Sequence, residues 1–315
     1  MEQSDERASL ISSRTQASCY GVIPVKEGAV LDTVEPVTLS WKDIRISVVQ
    51  SGRLLLYGVS GFAKPGQVVA LMGASGAGKT TLLNRFLARN LKGLEVEGSV
   101  LVNGNEIGRQ ITAISGYAQQ EEMFIGTLTV REYLSIQAVL RTTLPKKQRE
   151  SRVGAILSEL GLTKCQHTRI GIVGVRKGIS GGEARRLTFA CEMLSNPALL
   201  FCDEPTTGLD SFMAENVVTV LSNLAKGGRT VVCTIHQPAS QLFLMFDRVM
   251  LLASGRTAFF GTPKDCIKFF DDCGYPCPHN YNPADLLIHT LAIIPNEEEA
   301  CRVRVNQICD AFQNG

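Results

Sequence analysis

Gly73-Ala74-Ser75-Gly76-Ala77-Gly78-Lys79-Thr80 fits the pattern G-x-x-x-x-G-K-[ST] at every position. Glycines at this spacing let successive backbone N–H groups point into one concavity, a device for cradling phosphates. A helix that follows directly adds its positive N-terminal end. In such a loop Lys79 reaches the β- and γ-phosphates of a nucleotide, and the Thr80 hydroxyl ligates Mg²⁺. A chance glycine loop is the bland alternative, but an apolar strand pattern before it and a helical one after it favour the phosphate reading. Further along, Leu199-Leu200-Phe201-Cys202 runs into Asp203 and Glu204. A carboxylate at a strand tip suits the Mg²⁺ shell through water, which is the role expected of Asp203. Glu204 is placed to polarise an attacking water, as a general base or water-positioning group. Pro205 follows, so a plain acidic turn is the alternative; beside a phosphate loop it is the weaker one.

A third cluster is Ile179-Ser180-Gly181-Gly182-Glu183. Ser180 and Glu183 have capping-box spacing, and Leu187, Ala190, Cys191 and Leu194 repeat at helical intervals. This predicts a second helix start with bare glycine amides, a second anion-binding end. One nucleotide needs only one such end. Economy therefore suggests a dimer in which each nucleotide is sandwiched between two subunits.

The elements that must position these groups alternate between strand and helix. Val68–Met72, Leu199–Cys202, Thr230–Ile235 and Arg248–Leu252 read as buried strands, with helical patterns at Leu82–Leu87 and Val217–Leu224 between them. That order argues for a largely parallel sheet with helices on both faces. Ahead of the first buried strand, Val37–Trp41 and Ile44–Val49 read as two paired strands. The middle of the chain is helical: Thr129 and Glu132 form a capping box, and Val153, Ile156, Leu157 and Leu160 make a stripe ending at Gly161, a C′ glycine. Helices follow at about 263–273, 283–293 and 297–312. The first 35 residues, rich in Ser, Thr, Gln and charge, read as a disordered leader.

Composition narrows the choice. The chain has 315 residues, 44% hydrophobic and 20% charged, with 32 basic residues against 30 acidic ones. Bulk charge therefore points to neither nucleic acid nor an anionic surface, and anion binding must be local. No apolar run approaches the ~18–20 residues of a spanning helix. Ten cysteines scattered among core-like segments are expected to be reduced. Cys273, Cys277 and His279, with Cys266 nearby, could be drawn as a zinc site, but Cys266, Phe269, Phe270 and Cys273 share one helical stripe and read as core. Trp41 could stack on a base or pack in the core.

Taken in order, the phosphate loop, the S-G-G-E run and the strand ending in Asp203-Glu204 resemble the nucleotide-binding domain of ABC transporters, from about 41 to 260. The resemblance implies an α/β P-loop NTPase fold. It has a RecA-like mixed sheet core, an antiparallel β subdomain and a helical signature subdomain over about 129–196. The domain would span 36–315, with an extension from about 262 leading toward a membrane domain beyond Gly315. It extends the nucleotide contacts to Thr81 and makes Ser180, Gly181 and Gly182 the signature. Gly208-Leu209-Asp210 resembles the D-loop that passes between the two sites of the dimer. Gln120 resembles the Q-loop glutamine, touching Mg²⁺ and water, and His236 the switch histidine on the γ-phosphate. Lys79, Glu204, Gln120 and His236 would thus be the catalytic set, with Thr80, Gln120 and Asp203 around Mg²⁺.

Thr206-Thr207-Gly208-Leu209-Asp210-Ser211, His236-Gln237-Pro238-Ala239-Ser240 and Asn280-Tyr281-Asn282-Pro283-Ala284-Asp285 narrow the resemblance to the G subfamily, and within it to insect eye-pigment transporters. That implies a half-transporter at the cytosolic face of a membrane, such as that of a pigment granule. A second half-transporter subunit would complete a head-to-tail heterodimer that moves pigment precursors such as guanine and tryptophan derivatives. The rival reading is a soluble ABC ATPase of DNA repair, chromosome architecture or translation. Such proteins insert a long coiled coil or carry two cassettes; this chain has no heptad run between Gly73 and Ser180, and one cassette.

Overall fold

The computed structural model describes residues 34–314 other than Glu122, Val173, Gly174 and Arg176, so the leader expected at the start lies, up to residue 33, outside the described residues. Among the described residues, ten strands form two sheets. The first is antiparallel, built from β1 (Leu39–Val48), β2 (Leu54–Ala63), β4 (Leu94–Val102) and β5 (Asn105–Glu106) in the order β2-β1-β4-β5. The second contains β3 (Val68–Met72), β6 (Ser115–Ala118), β7 (Leu199–Cys202), β8 (Thr230–Thr234), β9 (Arg248–Ala253) and β10 (Arg256–Gly261), in the order β10-β9-β3-β8-β7-β6. Five of its strands are parallel, and β10 closes one edge as an antiparallel hairpin with β9.

Where two strands were expected across 37–49, the chain forms one. β1 runs through Lys42 and Asp43, with register shifts against both neighbours between Trp41 and Arg45. Asp43 takes a left-handed conformation, φ +48°, which absorbs the extra residues as a bulge. The true partners of β1 are β2, whose apolar run Leu54–Tyr57 breaks at Gly58, and β4, interrupted by Glu95, Glu97 and Gly98.

Ten α-helices complete the described chain. α1 (Lys79–Phe86) leaves the phosphate loop, and α2 (Ile111–Ile114) is a single turn. α3 (Val130–Arg141), α4 (Lys146–Glu159) and α5 (Gly181–Met193) occupy the middle; α6 (Ser211–Lys226) and α7 (Ser240–Leu244) flank β8 in sequence. α8 (Pro263–Asp272), α9 (Pro283–Leu291) and α10 (Glu298–Asn314) form the C-terminal extension. Both capping boxes read from the sequence are present, Thr129 with Glu132 on α3 and Ser180 with Glu183 on α5. Gly161 follows α4 with φ +64°, as a C′ glycine should.

Alternation along β3 divides the interior in two. Val68, Ala70 and Met72 join a core with α3–α6 and the extension, whereas Val69 and Leu71 face Leu82, Leu83 and Phe86 of α1 together with the antiparallel sheet. One face of the parallel sheet is thus covered by helices, and the other by α1 plus strands. Trp41 belongs to the second core. It is 1% exposed, with its ring centroid 4.7 Å from Phe86 and 6.3 Å from Phe260, and packing of this kind is worth about 3–5 kcal/mol against truncation. It is not available to a base. The nine described cysteines are free, and Cys266 is fully buried.

Candidate nucleotide site

The phosphate loop connects the end of β3 to the start of α1, and its shape depends on glycine at two points. Gly73 has φ +145°, and a Cβ there would stand 2.1 Å from the Leu252 carbonyl oxygen of β9. Gly78 has φ +104°, and a Cβ there would meet Leu56 Cδ2 at 2.6 Å. No side chain caps α1, so its first N–H groups have no partner of their own. The loop also holds a buried cation: Lys79 is 7% exposed, and its Nζ donates to the carbonyls of Gly73 (2.7 Å) and Ala74 (3.1 Å). Burial pulls the lysine pKa down, while Glu204 and then Asp203 pull it back up. Thr80, one residue on, is exposed.

The acidic pair sits at the end of β7, beside β8. Asp203 is 7% exposed; its Oδ1 accepts from the Thr234 hydroxyl at 2.6 Å and its Oδ2 from the Tyr117 hydroxyl at 3.2 Å. The same Thr234 oxygen accepts the Glu204 N–H at 2.8 Å, holding Glu204 in a left-handed conformation, φ +46°. Glu204 Oε2 accepts from Gln120 Nε2 at 2.8 Å and from the Thr207 hydroxyl at 3.0 Å. Gln120 is therefore brought to Glu204 across the sheet edge, from the segment after β6. Arg185 of α5 donates to the carbonyls of Gln119 (3.1 Å) and Gln120 (2.9 Å), joining that segment to the helix after Ser180.

The remaining predicted residues stand apart from this cluster. Ser180, Gly181 and Gly182 open α5. There the Ser180 hydroxyl donates to Glu183 Oε2 at 2.9 Å and the Ser180 N–H donates to the same oxygen at 2.8 Å. Burial would raise the Glu183 carboxyl, but these bonds, the Cys165 thiol and the Arg186 guanidinium hold it below its ordinary value. Asp210 caps α6, its Oδ1 accepting the Met213 N–H at 2.8 Å. His236 is exposed just past β8 and makes no hydrogen bond among the described residues. Ser180–Gly182 and Asp210 face no phosphate loop of their own chain through any described hydrogen bond.

Thr234 and Tyr117 escaped the sequence reading. Both lie inside strands where their types look like ordinary β-formers, and only the pairing of β6, β7 and β8 brings them to Asp203. A Thr in register one strand over from an Asp-Glu tip is the signal that could have found one of them.

This geometry can be set beside known proteins. The family model described as "ABC transporter" matches residues 56–207, and the one described as "ABC-2 type transporter" matches residues 236–311. The ABC transporter ATP-binding protein/permease wht-3 of Caenorhabditis elegans is 51% identical over 93% of this chain and 48% of its own length. Protein white of Drosophila melanogaster is 50% identical over 82% of this chain and 38% of its own. This chain belongs to the ABC transporters. It is a nucleotide-binding domain of the G-subfamily type, near White and Scarlet, the latter 45% identical over 89% of this chain. It spans about half the length of the first relatives, or less. The ABC ATPase fold is also that of cbiO1 from Clostridium perfringens, described as part of the ABC transporter complex cbiONQ. That structure superposes with a TM-score of 0.63 over 74% of this chain and 92% of its own, at 23% identity.

The residues present suit a magnesium nucleotide. A buried ammonium and uncapped helix amides face the place where phosphates would lie. An exposed Thr80 hydroxyl and a buried Asp203 carboxylate, which accepts hydrogen bonds from two hydroxyls, offer hard oxygen ligands. No helix among the described residues is long and apolar enough to cross a membrane.

Proposed function

We propose that this chain binds Mg-ATP between two nucleotide domains and hydrolyses it to drive a membrane domain. One observation carries the reading. Both hydrogen bonds to the Glu204 carboxylate fall on Oε2, while Oε1 has no partner among the described residues. One oxygen fixes the group, and the other is left to accept a proton from water. Gln120, which holds Oε2, also orients the carboxylate toward the loop. Lys79 supplies the fixed positive charge for the phosphates, and its carbonyl partners are exchanged for phosphate oxygens on binding. Bound Mg²⁺, held by Thr80, Gln120 and Asp203, would neutralise charge on the β- and γ-phosphates. His236 takes the γ-phosphate side. Ser180, Gly181, Gly182 and Asp210 belong to the facing subunit's nucleotide, consistent with their having no described hydrogen bond to this chain's own loop.

Exposed apolar side chains on the segment after Gln120 and on α3 support a membrane partner. Met123 and Ile125 follow Gln120, and Ile136, Val139 and Leu140 line one side of α3; Met123 is 74% exposed and Leu140 is 73% exposed. The facing subunit is a second G-type half-transporter, and the cargo is of the pigment-precursor class, guanine or tryptophan derivatives. Glu204→Gln should lower ATP hydrolysis by about 10²–10⁴-fold and accumulate ATP-bound dimers. Phosphate release at the wild-type rate would remove Glu204 from its role. Phosphate release absent in the wild type with its partner would leave only a regulatory ATP-binding domain.

A further inference from the structure

The switch loop between β8 and α7 is pinned at both ends. At the front, the Ile235 N–H donates to the Leu71 carbonyl of β3, 2.9 Å away and two residues before Gly73. At the back, the carbonyl of buried Pro238 accepts from Asn282 Nδ2 at 3.0 Å. Between the two pins, His236 and Gln237 are exposed, and Gln237 takes a left-handed conformation, φ +43°. Such a backbone persists only where its surroundings impose it.

Asn282 comes from the C-terminal extension, 44 positions from Pro238 in sequence. It is also the N-cap of α9, its Oδ1 accepting the Ala284 N–H at 3.1 Å. Both bonds are met by one orientation of the amide, with the oxygen toward an N–H and the nitrogen toward a carbonyl. α9 and α7 pack against each other, with Phe243, Leu287 and Leu291 in the shared core. The amide therefore stands on a fixed helix end and holds the strained loop by its last carbonyl.

We infer that Asn282 is a positioning residue for His236, so that the extension sets how the switch histidine meets the γ-phosphate. The inference rests on the proposed role of His236. Without the Nδ2 donor the Pro238 carbonyl loses its partner, and the left-handed turn at Gln237 is held from one side only. His236 then samples positions away from the phosphate, and turnover falls while nucleotide capture, a property of the phosphate loop, persists.

The test separates cap from tether. Asn282→Asp keeps the N-cap acceptor, since Asp and Asn cap equally well, but presents a carboxylate to the Pro238 carbonyl in place of a donor. Asn282→Gly serves as a second variant, since glycine caps a helix nearly as well as Asn but has no side-chain donor. Steady-state ATP hydrolysis is measured for Asn282→Asp, Asn282→Gly, His236→Ala and the His236→Ala/Asn282→Asp pair, in the assembly in which the chain turns over, with thermal melts as a fold check. We expect kcat to fall about tenfold in each Asn282 variant with KM within about twofold and an unchanged melt, and the double variant to match His236→Ala. Wild-type kcat in both Asn282 variants would overturn the inference. So would a double variant whose losses multiply, because Asn282 would then act apart from His236. Wild-type hydrolysis by His236→Ala would instead overturn the role of His236, and the inference with it.

Discussion

The two helix starts offered to phosphate, α1 and α5, are built in opposite ways. α1 opens on Gly78 with no side-chain cap, and its first residue is a buried lysine. α5 opens on Ser180, which caps the Glu183 N–H at 3.3 Å while Glu183 returns the bond to the Ser180 N–H. So α1 keeps its orphan amides and adds a cation, whereas α5 closes one amide on its own cap and places an anion in its first turn. The first is an anion site by itself. The second leaves the Gly181 and Gly182 amides, but its serine hydroxyl is engaged with Glu183 and can donate to a nucleotide only when that bond is displaced. In the two-subunit site proposed above, the first end would hold the nucleotide and the second would join it on closure, and this asymmetry suits those two parts.

Substitutions at matched glycines should expose it. Gly78→Ala forces a side chain into φ +104° and against Leu56, so it should cost about 2–4 kcal/mol of stability and remove ATP binding, as read by thermal melts and nucleotide titration. Unchanged binding would mean that the loop does not depend on its left-handed turn. Gly182→Ala lies in an ordinary helix, with its Cβ 3.1 Å from the Met213 sulfur. Stability should move by less than about 1 kcal/mol and ATP binding to the single chain should hold, while hydrolysis in the dimer falls. Equal loss of ATP binding in both variants would erase the distinction drawn between the two ends.

The smallest effect concerns the frame behind the first end. Burial, then the Asp203 carboxylate, push the Tyr117 phenol up to about 12 from an ordinary value near 10. The protonated form is therefore favoured by the fold. Its contribution to stability is complete below about pH 10 and is lost as pH rises toward 12. Burial raises the Tyr133 phenol as well, so phenolate absorbance should show late-titrating tyrosines, and Tyr117→Phe should remove the step near 12. A uniform titration near 10 would place Tyr117 outside the Asp203 frame.

What the sequence disclosed follows a physical divide. The phosphate loop, the Asp203-Glu204 tip and both capping boxes are contiguous motifs whose geometry is decided within a few residues, and each was legible. The partners of Asp203 were not, because Tyr117 is 86 positions away and Thr234 is 31, and their meeting depends on strand order. For the same reason Asn282 read only as part of the run 280–285 that carried the resemblance, just ahead of a helix. β1 was broken in two because the bulge at Asp43 interrupts the alternation, while β2 and β4 are themselves interrupted at Gly58 and Gly98. Trp41 remained open between a base and the core until Phe86 and Phe260 were seen around it.

The parallel register of β7 and β8, Leu199 beside Thr230 through Cys202 beside Cys233, constrains how this protein can change over generations. Inserting or deleting a single residue in either strand would slide Asp203 past Thr234 by about 3.3 Å and turn its side chain to the opposite face. Point replacements along these strands can be absorbed one at a time, but a change of length cannot. Descendants of this sequence should therefore vary freely in the lengths of their outer loops and stay locked, residue for residue, from Leu199 to Glu204 and from Thr230 to His236.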